Sequence, residues 1–157
     1  MLSLIENVNA RAISDAILEK TGRSMMSGDF DTFVSCFFLP QEVETFEGTR
    51  WLLTPADVRG VFDMMRLKFA ECGITDMVRR CVEAQFSGPE TIEATHETRL
   101  LSKDQIIVGP YPCFSILQKI DGNWQVSHSQ YAVADEVGQS TALLRSGSSK
   151  TRMREQA

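Results

Sequence analysis

Two histidines, His96 and His128, are the only imidazoles in the chain. Imidazole titrates near neutral pH, so a histidine inside a pocket can take or give a proton. Both lie in stretches that alternate like strands. Over 91–101 one face holds Ile92, Ala94, His96, Thr98 and Leu100, and the other holds Thr91, Glu93, Thr95, Glu97 and Arg99. Over 123–134 the alternation sets Trp124, Val126, His128, Gln130 and Ala132 against Gln125, Ser127, Ser129, Tyr131 and Val133. Each histidine falls on the more apolar face, where its ring nitrogens need partners. A bulge in either strand reverses the faces beyond it. Two readings are open: core histidines with satisfied ring nitrogens, or a pair lining a pocket, with His96 or His128 as general base.

Other polar side chains share apolar faces. Over 74–86, Ile74, Val78, Val82, Ala84 and Phe86 align with Asp76 and Arg80. The two charges read as a buried ion pair, as a clamp on an anionic ligand group, or as part of a face turned to a second copy. Arg80 or Tyr111 is a candidate for steering an oxyanion. Phe114, Ile116 and Ile120 are in register over 112–120, with Tyr111 at the strand entrance. Phe114, Phe46, Trp51 and Gln130 are candidate pocket walls, although such aromatics also serve as plain core. The two histidines are far apart and lack companion ligands at metal spacing, so no metal site is expected. No phosphate-cradling glycine loop and no nucleophile elbow appears, and no cofactor is expected.

Helices and strands must position these groups. Residues 9–26 carry helical spacing, with Gly28 as a stop and Asp29 as the next cap. Phe30, Phe33, Val34 and Phe37 mark a short amphipathic helix that Pro40 ends. Residues 43–46 and 50–53 flank Glu47-Gly48-Thr49 as a hairpin. Thr54-Pro55-Ala56-Asp57 opens a third helix with a capping box, and that helix runs through Val58, Val61, Phe62, Met65 and Phe69 to Gly73. From there the period becomes two. Strands are predicted over 74–86, 91–102, 112–120 and 123–134, with 103–105 in a turn and Asp121-Gly122 joining the last two. Segregated helices and meandering strands give an α+β fold, not a parallel βαβ one.

Bulk properties bound the function. A chain of 157 residues, 43% apolar and 24% charged, suits one domain. No apolar run is long enough to span a membrane, and residues 1–10 lack a secretory pattern. Cys36, Cys72, Cys81 and Cys113 have no C-x-x-C spacing and read as small core residues in a reducing, cytoplasmic setting. The formal charge is −5, and beyond Val137 four basic residues (Arg145, Lys150, Arg152, Arg154) stand against Glu155 alone. The acidic body disfavours nucleic acid. Residues 1–136 are expected to form the domain and 137–157 a flexible basic tail.

This order resembles the nuclear transport factor 2-like superfamily, which includes SnoaL-like cyclases, ketosteroid isomerases and scytalone dehydratase. The resemblance rests on the Gly28-Asp29-Phe30 step, the stretch from Phe37 to Phe46, the Thr54-Pro55 helix start and the closing Asp121-Gly122-Asn123-Trp124-Gln125-Val126 hairpin. It covers about residues 10–134 and implies a curved sheet wrapped around three helices, a pocket at the open end of the cone, and pairing with a second copy through the sheet. In isomerase-like members an aspartate comes from the first strand. Here that stretch offers Glu44 and Glu47, with Thr45 or Phe46 at the position itself. The dehydratase uses two histidines and an aspartate, which His96 and His128 match by residue type. SnoaL-like cyclases use an acid/base aspartate, for which Asp76 is the strand candidate. The expected function is therefore small-molecule binding, of an apolar or aromatic ligand. The alternatives are a cofactor-free lyase or isomerase with a histidine base, and a dimerisation module without catalysis.

Overall fold

The computed structural model describes residues 4–133, 135 and 137–146. Four helices and six strands follow one another as α1 (Leu4–Ser27), α2 (Phe30–Val34), β1 (Phe37–Thr45), β2 (Gly48–Leu52), α3 (Pro55–Glu71), β3 (Asp76–Gly88), β4 (Thr91–Ser102), β5 (Gln105–Ile120), β6 (Asn123–Tyr131) and α4 (Gln139–Arg145). The strands form one curved sheet in the order β2-β1-β6-β5-β4-β3, antiparallel except for the β1–β6 pair. The helices pack on its inner face.

Local chemistry explains most boundaries. Gly28 adopts φ +84° and ends α1, and Asp29 then accepts a hydrogen bond from the Thr32 amide to start α2. At α3 the Asp57 amide donates to Thr54 Oγ1 (3.2 Å), while the Thr54 amide donates to the Asp57 carboxylate (3.3 Å). Both halves of the capping box are therefore made. Val58, Val61, Phe62, Met65 and Phe69 are the buried stripe of α3, as their spacing predicts. Asp121 and Gly122 both take positive φ, the backbone of a tight hairpin between β5 and β6.

Three boundaries differ from the sequence reading. The helix predicted through Phe37 stops at Val34, because Phe37 joins β6 opposite Val126 and stacks on Phe33 at 4.8 Å. Pro40 lies inside β1, where the register with β6 shifts between Phe37 and Glu42, the place a strand tolerates a missing N–H. β5 begins at Gln105, not 112, and passes two register shifts against β4. There Gly109 (φ +105°) crosses so closely that a Cβ would sit 2.4 Å from the Thr98 carbonyl oxygen.

The expected tail also needs correction. Residues 139–145 form α4, whose Gln139, Ser140, Ala142 and Leu143 are buried, while 147–157 lie outside the described residues. Ala142 and Leu143 join the main core with Val133 and Val137. Ser140 Oγ meets Thr45 Oγ1 at 2.8 Å, tying α4 to β1. Cys36, Cys81 and Cys113 are buried as expected, but Cys72 is exposed at the end of α3. All four are free thiols.

Candidate functional site

The register of the sheet arranges its inner face in rows. Met77, Leu100 and Val108 form an apolar row at one end. Next come Arg79, Thr98 and Tyr111, and then Cys81, His96, Cys113 and Tyr131. Ala84, Ala94, Ser115, Ser129 and Val43 follow. Phe86, Ile92, Leu117, Val126 and Phe37 close the other end. A polar belt thus crosses the middle of an otherwise apolar concave surface.

Helices cover this belt and leave a cavity of about 80 Å³. Its apolar wall includes Ile17 and Met25 from α1, and Val58, Val61 and Met65 from α3. Its polar lining includes Arg79, His96, Thr98, Tyr111, Ser129 and Gln139. The volume suits about six water-sized groups at 10–15 Å³ of probe space each.

The belt is incompletely bonded. Three buried side-chain nitrogen or oxygen atoms lack a hydrogen-bond partner among the described residues: Arg79 Nε, His96 Nε2 and Gln139 Oε1. All three residues line this one cavity. Leaving such atoms unpaired costs about 1–3 kcal/mol each, so a cluster of them is a mark of a site.

Arg79 reaches across the cavity edge to α1. Its Nη2 donates to the Leu18 carbonyl (2.6 Å) and to Thr21 Oγ1. Gly22 makes room: a Cβ there would already touch Nη2 at 3.4 Å. No carboxylate pairs with Arg79 among the described residues, and burial pulls its pKa below the usual value. His96 is 3% exposed, and burial, reinforced by the Arg79 charge, lowers its pKa to about 3. It is a neutral imidazole. Burial likewise raises the Tyr111 and Tyr131 phenols and pushes the Cys113 thiol up to about 12. Tyr111 Oη accepts a hydrogen bond from Gln139 Nε2 (2.6 Å), so α4 closes one side of the site through a polar contact.

Of the residues singled out from sequence, His96 and Tyr111 face this cavity. The others do not. In β6 the register slips at Ser127, between the pairs Leu117–Val126 and Ile116–His128. Beyond that bulge Ser129 and Tyr131 turn inward and His128 and Gln130 turn outward. His128 Nδ1 lies 2.8 Å from Glu42 Oε1 on the outer face, beside the Phe114 ring at 6.3 Å. Phe46, Phe114 and Gln130 do come together, but in an open outer groove where Gln130 Nε2 donates to Glu44 Oε1 (3.3 Å). Phe46 and Trp51 are exposed.

A second bulge does the same to β3. The pairs Cys81–His96 and Glu83–Thr95 leave Val82 unopposed. Before it, Met77, Arg79 and Cys81 face inward, while Asp76, Val78 and Arg80 face solvent. Asp76 accepts from its neighbour Thr75 Oγ1 (3.0 Å), and Arg80 lies 3.7 Å from Glu97 with most of its side chain in water. Neither forms a buried pair or lines this cavity; both border an open outer groove beside α1. The inward arginine is Arg79, which alternation from Val82 assigns to the wrong face. No sequence signal singled it out: Gly22 admits its guanidinium, but a glycine inside a helix does not say which side chain approaches.

No family model matches the chain, and no curated protein matches it in sequence. Solved structures do match in shape. A protein of unknown function from Mycobacterium tuberculosis superposes with TM-score 0.64 at 14% identity, over 87% of this chain and 90% of that one. A nuclear transport factor 2-like protein of unknown function from Shewanella oneidensis gives 0.58 at 9% identity, over 78% and 98%. The fold is nuclear transport factor 2-like. A third neighbour, hexachlorocyclohexane dehydrochlorinase LinA-type3 from Novosphingobium barchaimii, gives 0.57 at 13% identity, over 82% and 89%. This nuclear transport factor 2-like fold thus carries both an enzyme and proteins without assigned function, and at these identities the likeness concerns the fold alone. No helix among the described residues is long and apolar enough to cross a membrane.

Proposed function

We propose that this protein binds a small molecule in the cavity between its curved sheet and its helices. One observation carries the reading: the unpaired buried atoms of Arg79, His96 and Gln139 all belong to residues lining a single cavity. A domain that served only to pair with a partner would gain stability by filling that space with apolar side chains.

Binding is favoured over general-base catalysis by how the two histidines are divided. A histidine base near neutral pH needs a pKa in that range and an acceptor, commonly a carboxylate, that orients its imidazole. His128 has such a carboxylate, Glu42, but lies on the outer face. His96 faces the cavity and has none among the described residues, and its pKa of about 3 makes it a weak base. Its role is to present a neutral ring nitrogen to a bound molecule.

The test is methyl NMR with a library of small fragments. Hits should move the signals of Met25, Val43, Val61 and Met65, which wall the cavity. A filling substitution, Ser115→Phe, should remove them. Shifts confined to the outer groove around Phe114 and Gln130, or no hits at all, would sink the proposal.

A further inference from the structure

We infer that the cavity takes a compact organic anion, its carboxylate seated against the Arg79 guanidinium and a hydroxyl on the same molecule donating to Gln139 Oε1. The inference rests on the binding function proposed above and adds the chemical class of the ligand.

Charge comes first. A guanidinium keeps its proton in a protein interior. Arg79 places that charge at the wall of an apolar cavity with no carboxylate opposite it. The groups nearest it electrostatically are two phenols and two thiols, those of Tyr131, Tyr111, Cys113 and Cys36. All are protonated at neutral pH, because burial raises the pKa of each. Among the described residues no carboxylate lines this cavity to balance that charge, the nearest acidic groups (Asp15, Glu19 and Asp76) lining instead the outer groove that Arg79 also borders, and on the cavity side an anion supplies the counter-charge. A cationic ligand would be repelled by Arg79 and would find no carboxylate on the cavity wall.

The hydrogen-bonding pattern narrows the class. Arg79 Nε is a free donor, and Gln139 Oε1 is a free acceptor fixed in orientation because its own Nε2 is spent on Tyr111. His96 Nε2 donates or accepts according to tautomer. A simple alkanoate meets the donor and leaves Gln139 unpaired. An amino acid would bring an ammonium next to Arg79. A hydroxy acid satisfies both ends, with its hydrocarbon part against Ile17, Val58, Val61 and Met65. The cavity of about 80 Å³ limits it to a body of roughly six heavy atoms, one per water-sized volume.

The experiment compares matched probes on the full chain by thermal shift and methyl NMR at constant ionic strength. The probes are 2-hydroxyisobutyrate, lactate, isobutyrate and 2-hydroxyisobutyramide, the last a neutral isostere of the first. The hydroxy acids should bind at least tenfold more tightly than the amide, and isobutyrate should fall between. Arg79→Met should remove the preference of acid over amide, and Arg79→Lys should keep part of it. The wild-type comparison stands even if Arg79→Met fails to fold. If the amide binds as well as the acid, or Arg79→Met retains the preference, the anion inference falls while cavity binding survives. If none of the probes or fragments enters the cavity, both fall together.

Discussion

His96 should make this protein acid-sensitive in a window that no carboxylate explains. In the unfolded chain its imidazole titrates near 6.5. In the fold, burial and the Arg79 charge bring it to about 3. Because the folded value is the lower one, the unfolded state binds the proton first. Stability is then full above about pH 6.5 and is lost as pH falls toward 3. At pH 5 the unfolded imidazole is almost wholly protonated and the folded one is neutral. The 1.5 pH units below 6.5, at 1.36 kcal/mol each, give a loss of about 2 kcal/mol. Urea unfolding of the wild type and of His96→Gln at pH 7 and pH 5 isolates the effect. Asp29 and Asp135, held below the usual carboxylate range by hydrogen bonds from Thr32 and Thr141, weaken in acid in both proteins and cancel. The wild type should lose about 2 kcal/mol more than the variant over this interval. Equal losses would refute the burial argument. So would a His96 ring signal in NMR that titrates with a midpoint above pH 5, a readout that needs no variant.

Other substitutions test the frame around the site. Gly109→Ala should cost at least about 2 kcal/mol in urea, because its φ of +105° is strained for any Cβ and the Thr98 carbonyl oxygen would lie 2.4 Å away. Thr54→Ala should cost about 1 kcal/mol by removing the acceptor for the Asp57 amide, visible as a lowered denaturation midpoint without a change in slope. Tyr111→Phe should cost about 1–3 kcal/mol, because the buried Gln139 amide loses the one partner it has among the described residues. The double variant with Gln139→Met should recover part of that loss, and strict additivity would refute the coupling.

The frame of the molecule was legible in the sequence because it is written in local chemistry. The Thr54 capping box, the apolar stripe of α3, and the Asp121-Gly122 turn depend on neighbours a few residues away. The site was legible only in part because it depends on parity. His96 and Thr98 were assigned to the inner face correctly, since β4 itself carries no extra residue over 91–98 and the extra residues beside it belong to β3 and β5. Bulges at Val82 and Ser127 each insert one residue, and one residue exchanges the faces of everything beyond it. Val82 and Val78 then looked like core and Arg79 like surface, when the reverse holds. Nothing in the residue types at 82 or 127 announces a bulge. α4 was hidden for a different reason: its seven residues are too few for a periodic signal, and its place is set by Thr45, Tyr111 and the core it caps.

The bulge at Val82 is also why the inward arginine exists. Without the extra residue at Val82, alternation from Ala84 and Phe86 would place Arg80 and Val82 inside and Arg79 in water. The chain instead turns Arg79 toward α1, where Gly22 clears the path for its guanidinium. A glycine in a helix interior costs up to about 1 kcal/mol relative to alanine. Partly desolvating a guanidinium that pairs with no carboxylate among the described residues adds to that cost. A domain needing only a solid core would avoid both by placing Met or Leu at position 79. That two independent costs serve the placement of one side chain is the physical reason to look for what meets it inside the cavity.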